Sequence, residues 1–149
     1  MSLDQVRARA HDDRTVAVLL AIALAALQSA LVAARLVLPG VASLVLTHRL
    51  GRRFPDVRLG LLVAALSVIH LVLFLALPRD PLWLALLSWP LGISMDTALV
   101  ATGQHSGRLR RGDRIPPEED RRANVLIGLV WTITAVVFSS LLLAALSSA

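Results

Sequence analysis

The chain has no cysteine. That excludes a disulfide frame, a thiol nucleophile and any thiolate-held metal. It has no lysine either: all 15 basic residues are arginine, which we read as codon usage in a GC-rich genome rather than as chemistry. Charge is scarce. Only 17% of the 149 residues are Asp, Glu, Lys or Arg, against about 25% in ordinary soluble domains. Also missing are the H-E-x-x-H, G-x-S-x-G and phosphate-cradling glycine patterns, and any paired acids inside apolar sequence. No catalytic residue, cofactor or metal site is therefore assigned. What the chain does have is apolar surface: 56% of residues are hydrophobic, with a mean hydropathy of +0.73. A soluble fold of this length cannot bury that much, and a disordered chain would be far less apolar.

Four apolar runs organise the sequence, about 15–34, 59–77, 81–102 and 123–146. Each is close to the ~20 residues that a helix needs to cross a ~30 Å hydrocarbon core. None contains Arg or Glu, and Asp96 is the lone acid among them. The expected fold is all-α: a polytopic membrane bundle of four transmembrane helices, forming one integral membrane domain over residues 1–149. The patch Leu36–Thr47, broken by Pro39-Gly40, is too short to cross alone. It reads as a kinked extension of the first helix or a short interfacial segment. The link Pro78-Arg79-Asp80 is so short that spans two and three must form an antiparallel hairpin. Pro116-Pro117 followed by Glu118, Glu119 and Asp120 marks a helix start near Pro117.

Arginine placement gives orientation. The loop 48–58 carries four Arg and the loop 103–122 carries six; the N-terminal segment has three and the hairpin link one. With four crossings, the Arg-rich loops fall in the cytoplasm and both termini outside, in a plasma membrane. A re-entrant Leu36–Thr47 would put the N-terminus inside instead. The net charge of +5 then reflects anchoring to anionic lipid headgroups, with Arg52, Arg53, Arg108, Arg110 and Arg111 as the anchors. It does not indicate a nucleic-acid partner.

Asp96 is the position with most chemical content. A carboxylate inside a span costs about 2.5–3.5 kcal/mol to insert. It reads either as a proton or ion relay or as a hydrated group paired with an arginine, and Arg35 is the expected partner. His70 lies near the middle of span two. It reads as a relay, or as an imidazole bonded to a backbone carbonyl of a neighbouring helix. Counting from the link places it level with Trp89-Pro90 rather than with Asp96, and a kink at Pro90 is expected to free the carbonyls that serve it. Small residues recur at helical spacing at Ala21, Ala25, Ser29 and Ala33, and again at Gly128 with Thr132. Such stripes permit close helix approach, within the bundle or to another subunit.

The stretch from Arg52 to Ser140 resembles one transmembrane block of the resistance–nodulation–division transporters, especially their MMPL-type branch. The residues that carry the likeness are the Arg-containing turn, the short Pro-containing link, Gly92-Ile93-Ser94-Met95-Asp96, and the Ser-bearing helix ending in Ser139-Ser140. Thr97 stands where that family usually has an aromatic residue. The resemblance implies that Asp96 matches the family's proton-relay carboxylate. It also implies the topology given by the arginines.

The first functional expectation is a non-enzymatic accessory or assembly subunit of a larger membrane complex, with the bilayer and other subunits or its own copies as partners. The alternative is a small oligomeric transporter or channel protomer using Asp96. A membrane-embedded lipid-modifying enzyme comes third, because acids, histidines and serine–histidine pairs do not cluster.

Overall fold

A computed structural model describes residues 3–33, 37–76 and 82–147. Five helices fill them: α1 (Leu3–Ala33), α2 (Val37–Arg53), α3 (Leu59–Ala76), α4 (Leu82–Arg110) and α5 (Pro117–Ser147). No strand occurs among the described residues. Three helices hold stretches long and apolar enough to cross a membrane: His11–Leu31 in α1, Leu59–Ala76 in α3 and Pro117–Ser140 in α5. Their outer faces carry exposed Leu19, Val68, Val72, Leu75, Val136 and Phe138. So much contiguous apolar surface suits lipid, not water.

The patch after the first span is not an extension of α1: Val37–Arg53 is a separate helix that packs back along α1. Pro39 falls in the first turn of α2, where a missing N–H removes no helical hydrogen bond. What looked like an interruption is a helix start. Helix α1 packs against α2 and α3, while α4 packs against α2, α3 and α5. The first four helices therefore close a ring, α1–α2–α4–α3, and α5 lies on the outer side of α4.

Inside the ring, Ala17, Ala21 and Ala25 of α1 are fully buried in a cluster with Leu50, Val57, Leu62, Leu66 and Val100. The alanine stripe thus packs within the chain, with Ser29 buried on the same side. The side chain of Ala33 lies outside the described set. The stripe on α5 behaves differently. Gly128 is exposed, and a Cβ there would meet nothing within 4 Å.

The tightest crossing is between α2 and α4. A Cβ on Gly103 would overlap the His48 carbonyl oxygen and lie 3.1 Å from the Arg52 nitrogen. One on Gly51 would overlap the Val100 carbonyl oxygen, and one on Gly107 would lie 2.8 Å from the Arg52 carbonyl oxygen. Three missing side chains bring the two backbones into contact. Contacts advance together along both helices, from His48–Gly103 to Arg52–Gly107, so α2 and α4 run in the same direction. The segment from Gly103, expected as loop, is consequently two more turns of helix. Helix α4 runs through Pro90 unbroken and stops at Arg110. Gly112 then takes a left-handed φ of 74°. The Gly112 N–H bonds to the Leu109 carbonyl at 3.0 Å, and that of Asp113 to the Arg108 carbonyl at 3.2 Å. This closes the helix end.

Adding one methyl at Gly103 therefore forces the backbones apart. The Gly103→Ala variant is expected to lose at least about 1–3 kcal/mol of stability, the usual cost of overpacking. Gly60→Ala, where a Cβ meets nothing within 4 Å, should be neutral or slightly stabilising. Thermal melts in detergent followed by circular dichroism check both.

Candidate functional site: a buried carboxyl–imidazole cluster

Asp96 is 1% exposed, although its side chain is charged chemistry in an apolar bundle. Neither carboxyl oxygen has a hydrogen-bond partner among the described residues. The nearest titratable group is His70 on α3, whose Nδ1 lies 3.4 Å from Asp96 Oδ2. The same nitrogen lies 3.1 Å from the Leu66 carbonyl oxygen, one turn back on its own helix. The other edge of the ring rests on Gly92, where a Cβ would come within 3.4 Å of Nε2. Gly92 is thus the notch in α4 that admits the imidazole.

Level counting along the hairpin misses this pair for a physical reason. Helical side chains lean toward the N-terminus of their own helix. In antiparallel α3 and α4 those leans oppose. His70 sits against Gly92, one turn from Asp96; it leans down toward Asp96 and Asp96 leans up toward it, and the two leans close that remaining turn. The expected service of His70 by carbonyls freed at Pro90 is replaced by Leu66 and Asp96. The expected partner of Asp96, Arg35, lies outside the described residues.

The other two ring helices contribute neutral polar groups. Gln28 of α1, 6% exposed, stands beside the Asp96 carboxyl. Its Nε2 donates to Thr47 Oγ1 on α2 at 2.6 Å. Thr47 in turn donates to the Ser43 carbonyl at 3.0 Å, and Ser43 to the Gly40 carbonyl at 2.7 Å. All four ring helices therefore meet at one polar level. Elsewhere in the helices the hydroxyls satisfy themselves: Thr97, Thr102, Ser106, Thr132, Thr134 and Ser140 each donate to the carbonyl four residues back. Such hydroxyls cost little in lipid. The Asp96 carboxyl is the exception, since an unpaired buried polar group costs several kcal/mol.

A second polar cluster ties the far end of α4. Gln104 Nε2 donates to the carbonyls of Val57 at 2.6 Å and Phe54 at 3.2 Å, pinning the α2–α3 turn. Arg111 grips Asp56 through two hydrogen bonds of 2.8 Å. Arg108 pairs with Glu119, and His105 Nε2 lies 3.1 Å from Asp120 Oδ1. Trp131 of α5 donates to Thr102 of α4 at 3.1 Å. Two of the arginines expected at lipid headgroups, Arg108 and Arg111, are thus engaged by acids of the chain itself. Arg52, Arg53 and Arg110 are exposed. The hydrogen bonds from Arg111 hold the Asp56 carboxyl below its ordinary value, and Arg108 does the same for Glu119.

Thr47 and Gln104 are not singled out by the sequence. Gln28, a glutamine inside an apolar run, reads there as a source of interhelical hydrogen bonds, and it makes one to Thr47 of α2. No group of three or more His, Cys, Asp or Glu able to hold a metal occurs among the described residues. Compared with known protein families, curated proteins and solved structures, the chain matches none.

The Asp56–Arg111 pair makes a pH prediction. A carboxyl whose folded value is depressed stabilises the fold above its unfolded value, here about 3.8, and that stability disappears as pH falls through the lower folded value. Asp56 is 73% exposed, so the contribution at neutral pH is under about 1 kcal/mol and is screened by salt. Melts of the parent and Asp56→Asn should differ slightly at neutral pH in low salt. They should coincide once the carboxyl is protonated.

Proposed function

We propose that this chain is a small multi-pass membrane protein that binds and passes protons at the Asp96–His70 pair, acting as a transporter or channel protomer. One observation carries the reading: a carboxyl 1% exposed, both oxygens without a hydrogen-bond partner, set 3.4 Å from an imidazole at the level where four helices meet. Within a membrane, ionisable groups are expensive and are retained at ion and proton paths. The two groups take up and release protons, and their separation is short enough for a proton to move between them directly or through one water. The likeness of Gly92-x-x-x-Asp96 to the transporter motif points the same way. Asp96→Asn keeps the shape and removes the titration. In proteoliposomes of the purified chain carrying a pH gradient, it should abolish proton flux, and His70→Gln should reduce it by about a hundredfold or more, the usual scale of a lost proton-transfer group. Flux unchanged in Asp96→Asn would end this reading.

A second reading, an accessory or assembly subunit, is favoured by α5. Among the described residues it packs on α4 and no other helix, and its outer face presents Gly128 with exposed Leu129, Ile133 and Val136. In this reading that face meets another subunit or a second copy.

The helix order also suggests a revised topology in the plasma membrane. With α2 returning through the bundle beside α1, successive helices alternate in direction and α4 is a crossing helix. The start of α1, both Arg-rich turns and the start of α5 then lie at one end. That end collects Arg7, Arg9, Arg14 and the ten Arg of the two turns. Arg35 and Arg79 remain in the links 34–36 and 77–81, outside the described residues. This division by the positive-inside rule is cleaner than the four-crossing one. It places the N-terminal segment and both Arg-rich turns in the cytoplasm, with exposed Arg52, Arg53 and Arg110 at the headgroups. Single cysteines at Gln5, Phe54, Asp80 and Gly112 distinguish the two. Four crossings require Gln5 to label with Asp80; the alternating arrangement requires it to label with Phe54 and Gly112.

A further inference from the structure

We propose that Gln28, held by Thr47, is the selectivity residue of the Asp96 site: it turns a hydrogen-bond donor toward the carboxyl, so that the site takes a proton and rejects a metal cation such as sodium. The inference rests on the proton reading above and names which cation that site accepts.

A buried carboxyl beside an amide and a hydroxyl admits two kinds of occupant. A proton needs one carboxyl oxygen. A hard metal cation needs a shell of oxygens, about six or more for calcium and magnesium. The direction of the surrounding hydrogen bonds decides between them. Thr47 gives its one hydroxyl hydrogen to the Ser43 carbonyl at 3.0 Å. It therefore meets Gln28 with a lone pair, and the Gln28 amide nitrogen donates to it at 2.6 Å. Both side chains are buried, on helices packed against each other, so the amide is fixed with its nitrogen inward. One amide hydrogen is used in that bond and a second is left over. The Asp96 carboxyl stands beside the same amide, with neither oxygen yet in a completed hydrogen bond.

Oxygen ligands are correspondingly scarce. The Thr47 oxygen is taken by the amide. His70 Nδ1 lies 3.1 Å from the Leu66 carbonyl and 3.4 Å from Asp96 Oδ2, so a hydrogen on that nitrogen serves both oxygens. On α4 the residues about one turn from Asp96 are Gly92, Ile93, Leu99 and Val100, and none has a side-chain oxygen. A metal cation would meet N–H hydrogens where it needs lone pairs. A proton takes one carboxyl oxygen and leaves the other to the amide.

His70 of α3 is the titratable neighbour of Asp96. Gln28 of α1 and Thr47 of α2 do not ionise. His48 of α2 has its backbone against Gly103, two turns along α4 from Asp96. The charged residues of α5 are confined to Glu118–Arg122, at the Arg-rich end.

Carbodiimide modification of Asp96 reads the occupant, in the full-length protein in liposomes with the same pH on both faces. Dicyclohexylcarbodiimide enters from the lipid and reacts with protonated carboxyls, so a bound metal cation protects. The Asp96 peptide is followed by mass spectrometry, with Asp96→Asn as the blank. In the parent the rate should fall as pH rises. Sodium chloride in place of choline chloride, at about 0.1 M ionic strength in both, should leave it unchanged. In Gln28→Leu the ionised carboxyl loses its donor. The pH of half-maximal rate should then rise by about one unit, the scale of one hydrogen bond to a charged group. Thr47→Val frees the amide to turn its oxygen inward, and sodium should now slow the modification. Thr47→Ser keeps the hydroxyl and should match the parent. Protection of the parent by sodium, or a pH profile unmoved in Gln28→Leu, overturns the role given to Gln28 and leaves a titrating Asp96 standing. Sodium without effect in Thr47→Val overturns the hold of Thr47 on the amide. A parent rate that ignores pH overturns the proton reading itself.

Discussion

The bundle depends on three side chains that are not there. Gly51, Gly103 and Gly107 let α2 and α4 touch backbone to backbone, and nearly every other feature follows from that contact. It draws α2 into the ring, which brings Thr47 up to Gln28 and Gln28 up to Asp96. It lets α4 continue past Gly103 as helix, which carries Gln104 to the α2–α3 turn and Arg111 to Asp56. In lipid the usual apolar driving force between helices is absent. Close packing of this kind has to supply the attraction instead, through many short contacts of low individual value.

The polar centre is held in place by apolar precision. Gly92 is a notch for His70, and the fully buried alanines of α1 keep Gln28 close to the axis of the ring. The hydroxyls of Thr97, Thr102, Ser106, Thr132, Thr134 and Ser140 bond within their own helices. Asp96 is therefore distinguished less by its charge than by its setting, with Gln28 and His70 beside it and neither oxygen held in a well-aligned hydrogen bond. A structural ion pair would be expected to arrive with its hydrogen bonds completed. This carboxyl has an imidazole beside it and both oxygens open.

Much of this was legible in the sequence, and the failures share a cause. Hydropathy located the apolar stretches of α1, α3 and α5, and the acids after Pro117 located the start of α5. Arginine clustering marked one end of the bundle. What escaped was anything decided by one helix against another. The Leu36–Thr47 patch read as an extension of the first helix or an interfacial segment, because only its length was weighed, whereas α2 is a separate helix held in the ring by its glycine contact with α4. Gly103 and Gly107 read as loop because glycine is a poor helix former in isolation. At a crossing the same lack of a side chain is the asset. His70 and Asp96 were kept apart because level counting ignores the lean of side chains.

The attachment of α5 has a consequence for how the chain is made. Among the described residues, helix α5 touches α4 and no other helix, held by Trp131–Thr102 and by Arg108–Glu119. The ring of α1 to α4 already contains every group of the Asp96 cluster. During synthesis, the ring is complete in sequence before α5 has left the ribosome, so no group of the polar centre has to wait for it. Helix α5 then joins as a late addition along one seam, and that same seam is where it separates most easily. A chain built in this order commits its costly carboxyl to shelter first and leaves its most lipid-facing helix for last.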